Sequence, residues 1–384
     1  MLVACSLGGS GHLNPLLPFL AAARRRGDDV VVVGPPALQE MVELAGFPFR
    51  AGGEPPEAVI APIRERLPLA PPLEASVLGN RELFGRLATG AMLPHMEQVC
   101  ADWQPDFVLR EPCEYASAVV AFARSIPTAQ VAISLAEAEA GSIAVAAPAL
   151  EEHRAGLVEE LRASPYLTRF PELLDPSPFP TTVRFREPAA GTAAPLPDWW
   201  DGSDAPLVYL TFGTVMGHMS LAAGVYRTAL DAVQHLDARV LLTVGRRFDP
   251  TGLGAVPGHV HVEPWVDQAR VFAEADLVVC HGGSGTVFGA LAAGLPMVIV
   301  PVFADQFENG RRVASGGAGV TVEAEPASAD GARRVVTEVD APRIADAIAD
   351  ALRARSYRVR AREIASEMAA TPGVDEVLET LAPE

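Results

Sequence analysis

Cys280-His-Gly-Gly-Ser-Gly-Thr286 is the stretch that decides the fold of this chain. The apolar run Ala275–Val279 leads directly into it and predicts a buried parallel strand. Val287–Ala293 follows and predicts a helix, which Gly294-Leu-Pro296 ends. A glycine cluster between a strand and a helix lets backbone N–H groups face a phosphate, and the helix dipole adds partial positive charge there. The stretch therefore predicts a diphosphate-binding turn.

A second polar stretch, Pro301-Val-Phe-Ala-Asp-Gln306, ends the next strand of the same predicted sheet. Because the carboxyl ends of parallel strands meet at one edge, Asp305 and Gln306 are predicted to lie near the phosphate turn. Their oxygens and amide group match the hydroxyl groups of a sugar. An Asp-Gln pair alone is a weak signal, and its position beyond the turn carries the interpretation.

Composition limits the class of protein. The chain has 384 residues, enough for two α/β domains, and 49% of them are hydrophobic, enough for a large core. The net charge of −18 argues against nucleic acid or an anionic membrane as partner, because both require a basic surface. All 30 basic residues are arginine, which excludes lysine chemistry such as a Schiff base.

The cysteines and the apolar runs predict a cytoplasmic protein without a metal site. Cys5, Cys100, Cys113 and Cys280 lack the spacing of zinc ligands or of a disulfide framework. No apolar stretch reaches the length of a membrane span, and the first residues do not resemble a signal peptide. We therefore expect free thiols in a reducing compartment.

Alternating strand-like and helix-like segments predict an α/β fold of two doubly wound halves. The predicted domains are residues 1–185 and 205–356, joined by a linker at 186–204 that is rich in Pro, Ala and Gly. Residues 55–72 are dense in proline and are predicted not to form a regular helix. Residues 164–206 are predicted to interrupt the α/β alternation. Two Rossmann-like halves predict a ligand cleft between them.

A first glycine loop, Gly8-Gly-Ser-Gly-His12-Leu-Asn-Pro15, follows the first predicted strand. Asn14 stands where a dinucleotide fingerprint has its third glycine, which argues against a nicotinamide enzyme. His12 lies where ligands bind at a strand end, and its imidazole suits a general base. Glu111 also ends a strand at that edge and could hold the imidazole in one tautomer. A helix-capping histidine and a solvated glutamate are the alternatives.

Three residues of the second half could contact a nucleotide. Thr214 ends the first strand of that half and could offer its hydroxyl to a phosphate or cap a helix. The indole of Trp265 could stack on a base or pack in a core. His281, within the phosphate turn, could donate to a diphosphate oxygen.

Together the motifs resemble those of GT-B glycosyltransferases that decorate natural products in actinobacteria, the macrolide and polyketide deoxysugar transferases related to plant UDP-glycosyltransferases. The plant enzymes carry Trp-Asn where this chain has Ser284-Gly285, which favours the bacterial branch. The resemblance covers nearly the whole chain. Its matching segments are Gly9–Pro15, Gln104–Pro112, Thr211–Thr214, Val262–Val266, His281–Thr286, Pro301–Asn309 and the tail Tyr357–Leu381.

The resemblance implies two Rossmann-like domains that face each other across a cleft, the first binding an acceptor and the second an NDP-sugar, in particular a dTDP-sugar. Residues 357–384 are expected to form helices that cross back to the first domain. His12 would be the general base and Glu111 its acidic partner in an inverting, metal-independent transfer, with the NDP-sugar as co-substrate and no cofactor. The residues expected to bind the donor are Ser10, Gly11, Thr214, Gly245, Trp265, Val266, His281, Gly283, Ser284, Gly285, Thr286, Asp305 and Gln306.

The acceptor side is defined less sharply. Segments 55–95 and 134–180 are irregular and apolar, which suits a hydrophobic aglycone such as an aromatic polyketide or a macrolide. The side chains predicted to line this site, with core packing as the alternative, are Leu78, Phe84, Met92 and Ile143. O- and C-glycoside formation remain open. The alternative functions are a non-hydrolysing sugar-nucleotide epimerase and a non-catalytic helper subunit; a homodimer and an auxiliary activator protein are further expected partners.

Overall fold

The computed structural model describes residues 1–4, 9–67, 70–187, 194–217, 219–325 and 334–381. The chain divides into two compact units, Met1–Pro188 with Thr371–Glu384, and Ala189–Ala370. Each unit contains one parallel β-sheet with helices between its strands, as the alternating pattern predicted. Of the predicted linker, residues 188–193 lie outside the described residues, as do residues 5–8 of the first glycine loop.

The described part of the first unit contains a seven-stranded sheet in the order β3-β2-β1-β4-β5-β6-β7. Its strands are β1 Leu2–Ala4, β2 Val31–Gly34, β3 Phe49–Ala51, β4 Val108–Arg110, β5 Thr128–Val131, β6 Tyr166–Thr168 and β7 Thr182–Arg184. Strands β1 and β2 are short and apolar, as expected for strands covered on both faces, and β4 is apolar except for the buried Arg110. The strand order reverses between β1 and β4, so the loops after these two strands lead in opposite directions and leave a crevice between them.

The helices of the first unit cover both faces of this sheet. They are α1 Ser10–Leu13, α2 Leu17–Arg26, α3 Gln39–Leu44, α4 Glu57–Arg66, α5 Pro72–Ser76, the π-helix Val77–Ala88, α6 Thr89–Trp103, α7 Ala116–Ala123, α8 Ala136–His153 and α9 Leu157–Ala163, with a 3₁₀ turn at Pro36–Leu38. The π-helix packs along α8. A π-helical segment is an uncommon conformation that is frequent at functional sites.

The second unit contains, in its described residues, a six-stranded sheet in the order β10-β9-β8-β11-β12-β13. Its strands are β8 Leu207–Thr211, β9 Arg239–Thr243, β10 Val260–Glu263, β11 Leu277–Cys280, β12 Met297–Ile299 and β13 Gly319–Thr321. Its helices are α10 Gly213–Met216, α11 Ala222–Val233, α12 Gln268–Glu274, α13 Ser284–Ala292, α14 Gln306–Ser315, α15 Ala341–Arg353 and α16 Arg355–Ala369, with 3₁₀ turns at Pro250–Leu253 and Glu338–Asp340. The strand order reverses between β8 and β11, the strands that precede Thr214 and the phosphate turn.

The chain returns to the first unit later than the sequence predicted. The predicted return was at residue 357, whereas the division between the units falls at Thr371. Helix α16 stays with the second unit, because Arg358 donates to Asp276 and Arg360 donates to the carbonyl of Gly316. The last helix, α17 Val374–Leu381, packs on α2 in the first unit.

Two segments that were expected to be irregular are helical. Residues 57–66 form α4, because two prolines precede the helix, where proline is tolerated, and only Pro62 lies inside it. Helix α8 likewise contains Pro148. The expected irregularity of 55–72 and of 134–180 was therefore wrong for these stretches. Within 164–206, β6 and β7 extend the sheet. None of the described helices is both long enough and apolar enough to cross a membrane.

Candidate functional site

His12 and Glu111 lie within hydrogen-bonding distance of each other in the first unit. Nδ1 of His12 lies 3.2 Å from Oε1 of Glu111, whose side chain is fully buried. His12 lies in α1, after β1, and Glu111 follows β4, so the pair stands where the strand order reverses. The N–H of Cys113 donates to Oε2 of Glu111 at 2.6 Å, which fixes the carboxylate. With a hydrogen on Nδ1 directed at Glu111, Nε2 is the nitrogen that can accept a proton.

Opposing effects set the pKa of His12. Burial lowers the pKa of His12, but the charge of Glu111 and the hydrogen bond to it together outweigh burial, so the pKa is raised above its ordinary value. Burial raises the pKa of Glu139 to about 8 and also raises the pKa of Glu114. The negative charge that raises the pKa of His12 is that of Glu111.

Of the side chains predicted to line the acceptor site, Phe84 lies next to His12. Its ring centroid is 6.1 Å from that of His12, and the ring is half-buried on the π-helix, as is Leu78. Met92 is buried, and Ile143 has 0% of its surface exposed within a hydrophobic cluster. The burial of Ile143 and Met92 favours the core-packing alternative for both side chains.

The predicted phosphate turn joins β11 to α13 in the second unit. Ser284, Gly285 and Thr286 form the first turn of α13, where backbone N–H groups have no partner within a helix. Gly285 is exposed, and no described atom lies within 4 Å of the place where its Cβ would stand. The N-terminus of α13 therefore has room for an anion above it.

The imidazole of His281 lies between two glycines. A Cβ on Gly213 would stand 2.8 Å from the ring, and a Cβ on Gly283 2.5 Å from Nε2, so both positions exclude a side chain. Gly213 also has a φ of +74°, which favours glycine. Burial lowers the pKa of His281 to about 4, opposed by the charge of Asp305 and by a hydrogen bond to the backbone of Thr211. At neutral pH this ring is uncharged.

Asp305 precedes α14 and Gln306 begins it, beside this turn. Oδ2 of Asp305 accepts a hydrogen bond from the hydroxyl of Ser284 at 2.9 Å. The side-chain oxygen of Gln306 accepts from the N–H groups of Val302 and Phe303, at 2.9 and 3.0 Å. Gln306 thus shapes the loop that leads to Asp305, a role that the sequence did not predict.

Trp265 is not part of a core. It is 48% exposed, and the guanidinium of Arg246 lies 4.7 Å from its ring centroid, a cation–π contact. Val266 beside it is half-buried, and the neighbouring Gly245 has a φ of +84°. Thr214 is exposed in α10. The core-packing interpretation of Trp265 was therefore wrong.

Two polar residues of this region were not singled out from the sequence. Gln268 donates to the hydroxyl of Thr286 at 3.2 Å, and Asn309 donates to the hydroxyl of Ser284 at 3.0 Å. The sequence signals for Asn309 are its position one helical turn after Asp305 and its place at the end of the matching segment Pro301–Asn309. Ser10 and Gly11 lie with His12 in α1, in the first unit. Across the described chain, no group of three or more His, Cys, Asp or Glu side chains is arranged to hold a metal ion.

The sequence is similar to a family model and to known proteins. Residues 227–383 match the C-terminal domain of the erythromycin biosynthesis protein CIII-like family. Over 357 residues the chain is 32% identical to the elloramycin glycosyltransferase ElmGT of Streptomyces olivaceus, covering 86% of this chain and 90% of that protein. It is 30% identical over 325 residues to the L-demethylnoviosyl transferase of Streptomyces niveus, covering 83% of each.

Solved structures share the fold. The spinosyn rhamnosyltransferase SpnG has a TM-score of 0.77 at 20% identity, with 99% of both chains covered. The glycosyltransferase SnogD of Streptomyces nogalater has a TM-score of 0.75 at 22% identity, with 99% of this chain and 97% of that one covered. At these identities the likeness establishes the GT-B fold, and the family follows from the sequence identity to ElmGT over most of both chains. The chain belongs to the glycosyltransferases of antibiotic biosynthesis.

Proposed function

We propose that this glycosyltransferase transfers a sugar from a dTDP-sugar to a hydrophobic natural-product acceptor, with inversion at the anomeric carbon. The observation that carries the proposal is the pair of His12 and buried Glu111, whose Nδ1 and Oε1 atoms lie 3.2 Å apart. The pair stands at the strand ends of a doubly wound sheet, where ligands of this fold bind. It has the parts of a general base: an imidazole with a fixed tautomer and a carboxylate that stabilises its cation.

In the proposed reaction, Nε2 of His12 takes the proton of the acceptor nucleophile as that nucleophile attacks the anomeric carbon. The bond from this carbon to the diphosphate oxygen breaks while the new glycosidic bond forms on the opposite face, which inverts the configuration. The imidazolium that forms is stabilised by Glu111, which accepts the hydrogen bond from Nδ1.

The leaving diphosphate gains negative charge during the transfer. The proposed groups that receive it are the N–H groups at the start of α13, the exposed Thr214 hydroxyl and the uncharged imidazole of His281, which donates as a neutral ring. Fixed dipoles of this kind stabilise developing charge in the transition state more than charge in the ground state. Asp305 is proposed to accept a hydrogen bond from a sugar hydroxyl.

One exposed and one half-buried aromatic ring, together with relatives, support the proposed nucleotide and acceptor class. Trp265 offers an indole face to a nucleobase, and Phe84 beside His12 offers a ring to a flat acceptor. Structures of SpnG and of SsfS6, a glycosyltransferase of Streptomyces sp. SF2575, have been solved with thymidine diphosphate. SpnG has also been solved with spinosyn aglycone. These features favour dTDP over other nucleotides and a polyketide-like aglycone over a polar acceptor.

Substitution of the base tests the proposal directly. With dTDP-sugars and polyketide aglycones as substrates, His12→Ala is expected to lower kcat/KM by about 10²- to 10⁴-fold, the usual effect of losing a general base. Affinity for dTDP, measured by calorimetry, should change little. His95→Ala, an exposed histidine of α6 in the same unit, is the matched control. Full activity in His12→Ala would remove this residue from the mechanism.

Product stereochemistry and nucleotide choice test the remaining parts. The anomeric proton coupling of the product, measured by NMR, should show the configuration opposite to that of the donor; retention would contradict direct displacement. Calorimetry should show tighter binding of dTDP than of UDP. Tighter binding of UDP would overturn the proposed donor but leave the base assignment intact.

A further inference from the structure

Asn309 occupies the centre of the predicted donor site without a role assigned to it. It lies in α14, is only 1% exposed, and its side-chain nitrogen reaches three acceptors. The nitrogen lies 2.8 Å from the carbonyl oxygen of Gly282, 3.0 Å from Oγ of Ser284 and 3.3 Å from Oδ2 of Asp305. One amide group therefore contacts the phosphate turn, the first residue of α13 and the residue that precedes α14.

These contacts close a hydrogen-bonded triangle. The hydroxyl of Ser284 accepts from Asn309 and donates to Oδ2 of Asp305 at 2.9 Å. The backbone N–H of Asn309 also donates to the carbonyl of Asp305 at 2.9 Å. Asn309 thus contacts both Ser284 and Asp305, and these contacts fix the spacing between the two residues.

Stability alone does not explain an asparagine at this place. Within the residues that the structure describes, the buried side-chain oxygen of Asn309 has no hydrogen-bond partner. A buried acceptor without a partner destabilises a fold. Rotating the amide by half a turn would place that oxygen against the carbonyl of Gly282 and the carboxylate of Asp305, which have no hydrogen to give, and would leave the Ser284 hydroxyl as its one donor. The unpaired oxygen is unfavourable for stability, whereas the side-chain nitrogen contacts three acceptors of the predicted donor site.

We propose that Asn309 is a positioning residue of the donor site, an inference that rests on the proposed function. It holds the carboxylate of Asp305, which faces the sugar, at a fixed distance from the N-terminus of α13, which faces the diphosphate. The hydroxyl of Ser284 has one hydrogen, so it can bind Asp305 or a diphosphate oxygen, but not both. When the diphosphate takes that hydrogen, Asn309 continues to hold Asp305.

Hydrogen–deuterium exchange without ligand tests the tether itself. Asn309→Ala is expected to raise exchange in peptides covering residues 280–287 and 302–309, with no change in β8 and β9. Thr228→Ala, which removes an equally buried polar group from α11 of the same unit, is the matched control and should leave both peptides unchanged. Unchanged exchange at 280–287 in Asn309→Ala, or a rise throughout the second unit with a matching fall in Tm, would overturn the proposal.

Calorimetry with dTDP and dTDP-glucose tests the consequence. The ratio of the two Kd values isolates the effect of the sugar, and Asn309→Ala should shift it about tenfold against dTDP-glucose, while Thr228→Ala leaves it unchanged. Asn309→Asp should show the same shift at pH 8 and recover toward the wild-type ratio at pH 5, since only a protonated Asp can donate. An unchanged ratio in Asn309→Ala overturns the positioning role. Failure of the wild-type chain to bind dTDP, UDP or dTDP-glucose would instead overturn the proposed function, and the exchange experiment would still decide on the tether.

Discussion

At the scale of single residues, the proposed base His12 depends on the carboxylate of Glu111. The imidazole of His12 is disfavoured as a cation by burial and favoured by Glu111, and the second effect prevails. A raised pKa gives a stronger base, yet only the neutral ring can accept a proton. Activity should therefore rise with pH through the pKa of His12 and level off above it.

Glu111→Gln removes the charge that raises the pKa of His12 and leaves the burial that lowers it. The amide keeps an oxygen for the N–H of Cys113 but removes the charge, so burial should lower the pKa of His12. The acid limb of log(kcat/KM) against pH is expected to move to lower pH, and the plateau to fall because the imidazolium loses its stabilising charge. Rate profiles between pH 5 and 9 measure both.

The control for this change is Glu40→Gln, which neutralises an exposed carboxylate of α3. It should leave the profile unchanged. If the acid limb of Glu111→Gln stays at the wild-type pH, the carboxylate does not set the pKa of the catalytic base.

The sequence identified candidate residues whose type and position at the end of a strand indicate a function, such as His12. It did not predict Asn309 or Gln268, because an amide becomes part of a site only through what the fold places opposite it. It left two alternatives for Ile143, and the burial of this residue on α8 favours core packing. The sequence pattern indicates which side chains could function, and packing in the fold determines which of them are accessible to a ligand.

At the scale of elements, glycines in one turn serve different purposes. Gly283 leaves space for the ring of His281, so the fold itself requires it. Gly285 has no described neighbour within 4 Å of a Cβ position and lies in the first turn of α13. Folding therefore does not need a glycine at 285, and a bound diphosphate is the physical reason we offer for it.

Gly285→Ala is expected to stabilise the protein by up to ~1 kcal/mol, since alanine is the better helix residue. Its methyl group should nevertheless weaken dTDP binding by tenfold or more, because a backbone N–H can no longer be approached closely. Thermal unfolding and calorimetry measure the two effects on the same sample.

Gly224→Ala is the matched control, since Gly224 is an exposed helical glycine of α11 whose Cβ would also meet no described atom. It should bring a similar gain in stability with no change in dTDP affinity. Equal affinity in Gly285→Ala and wild type would mean that the diphosphate does not lie against this turn.

Element prediction failed where local signals and context disagreed. Proline density argued against a helix at 57–66, but the position of each proline mattered more than their number, and only Pro62 interrupts α4. Strands β6 and β7 have three residues each, too short for a periodic pattern. They become strands because the edge of an existing sheet supplies their hydrogen-bond partners.

At the scale of the whole molecule, the chain completes its first unit with its last helix. Helix α17 buries Val377 and Leu378 in the same cluster as Phe19 of α2. Arg25 pairs with Asp375, and Arg26 donates to the carbonyl of Leu378. The first unit therefore acquires part of its core only after the second unit has been synthesised.

Leu378→Ala tests this division of the chain. Removing a leucine that is 1% exposed should destabilise the first unit by roughly 2–5 kcal/mol, the usual cost of this substitution in a core. Hydrogen exchange should rise in β1 and β2 and remain at the wild-type level in β8 and β9. Because the phosphate turn belongs to the second unit, dTDP binding should persist while glycosyl transfer falls.

Leu44→Ala, at an 81% exposed position, should change stability by less than about 0.5 kcal/mol. A loss of dTDP binding in Leu378→Ala equal to its loss of stability would show that the two units unfold as one cooperative body.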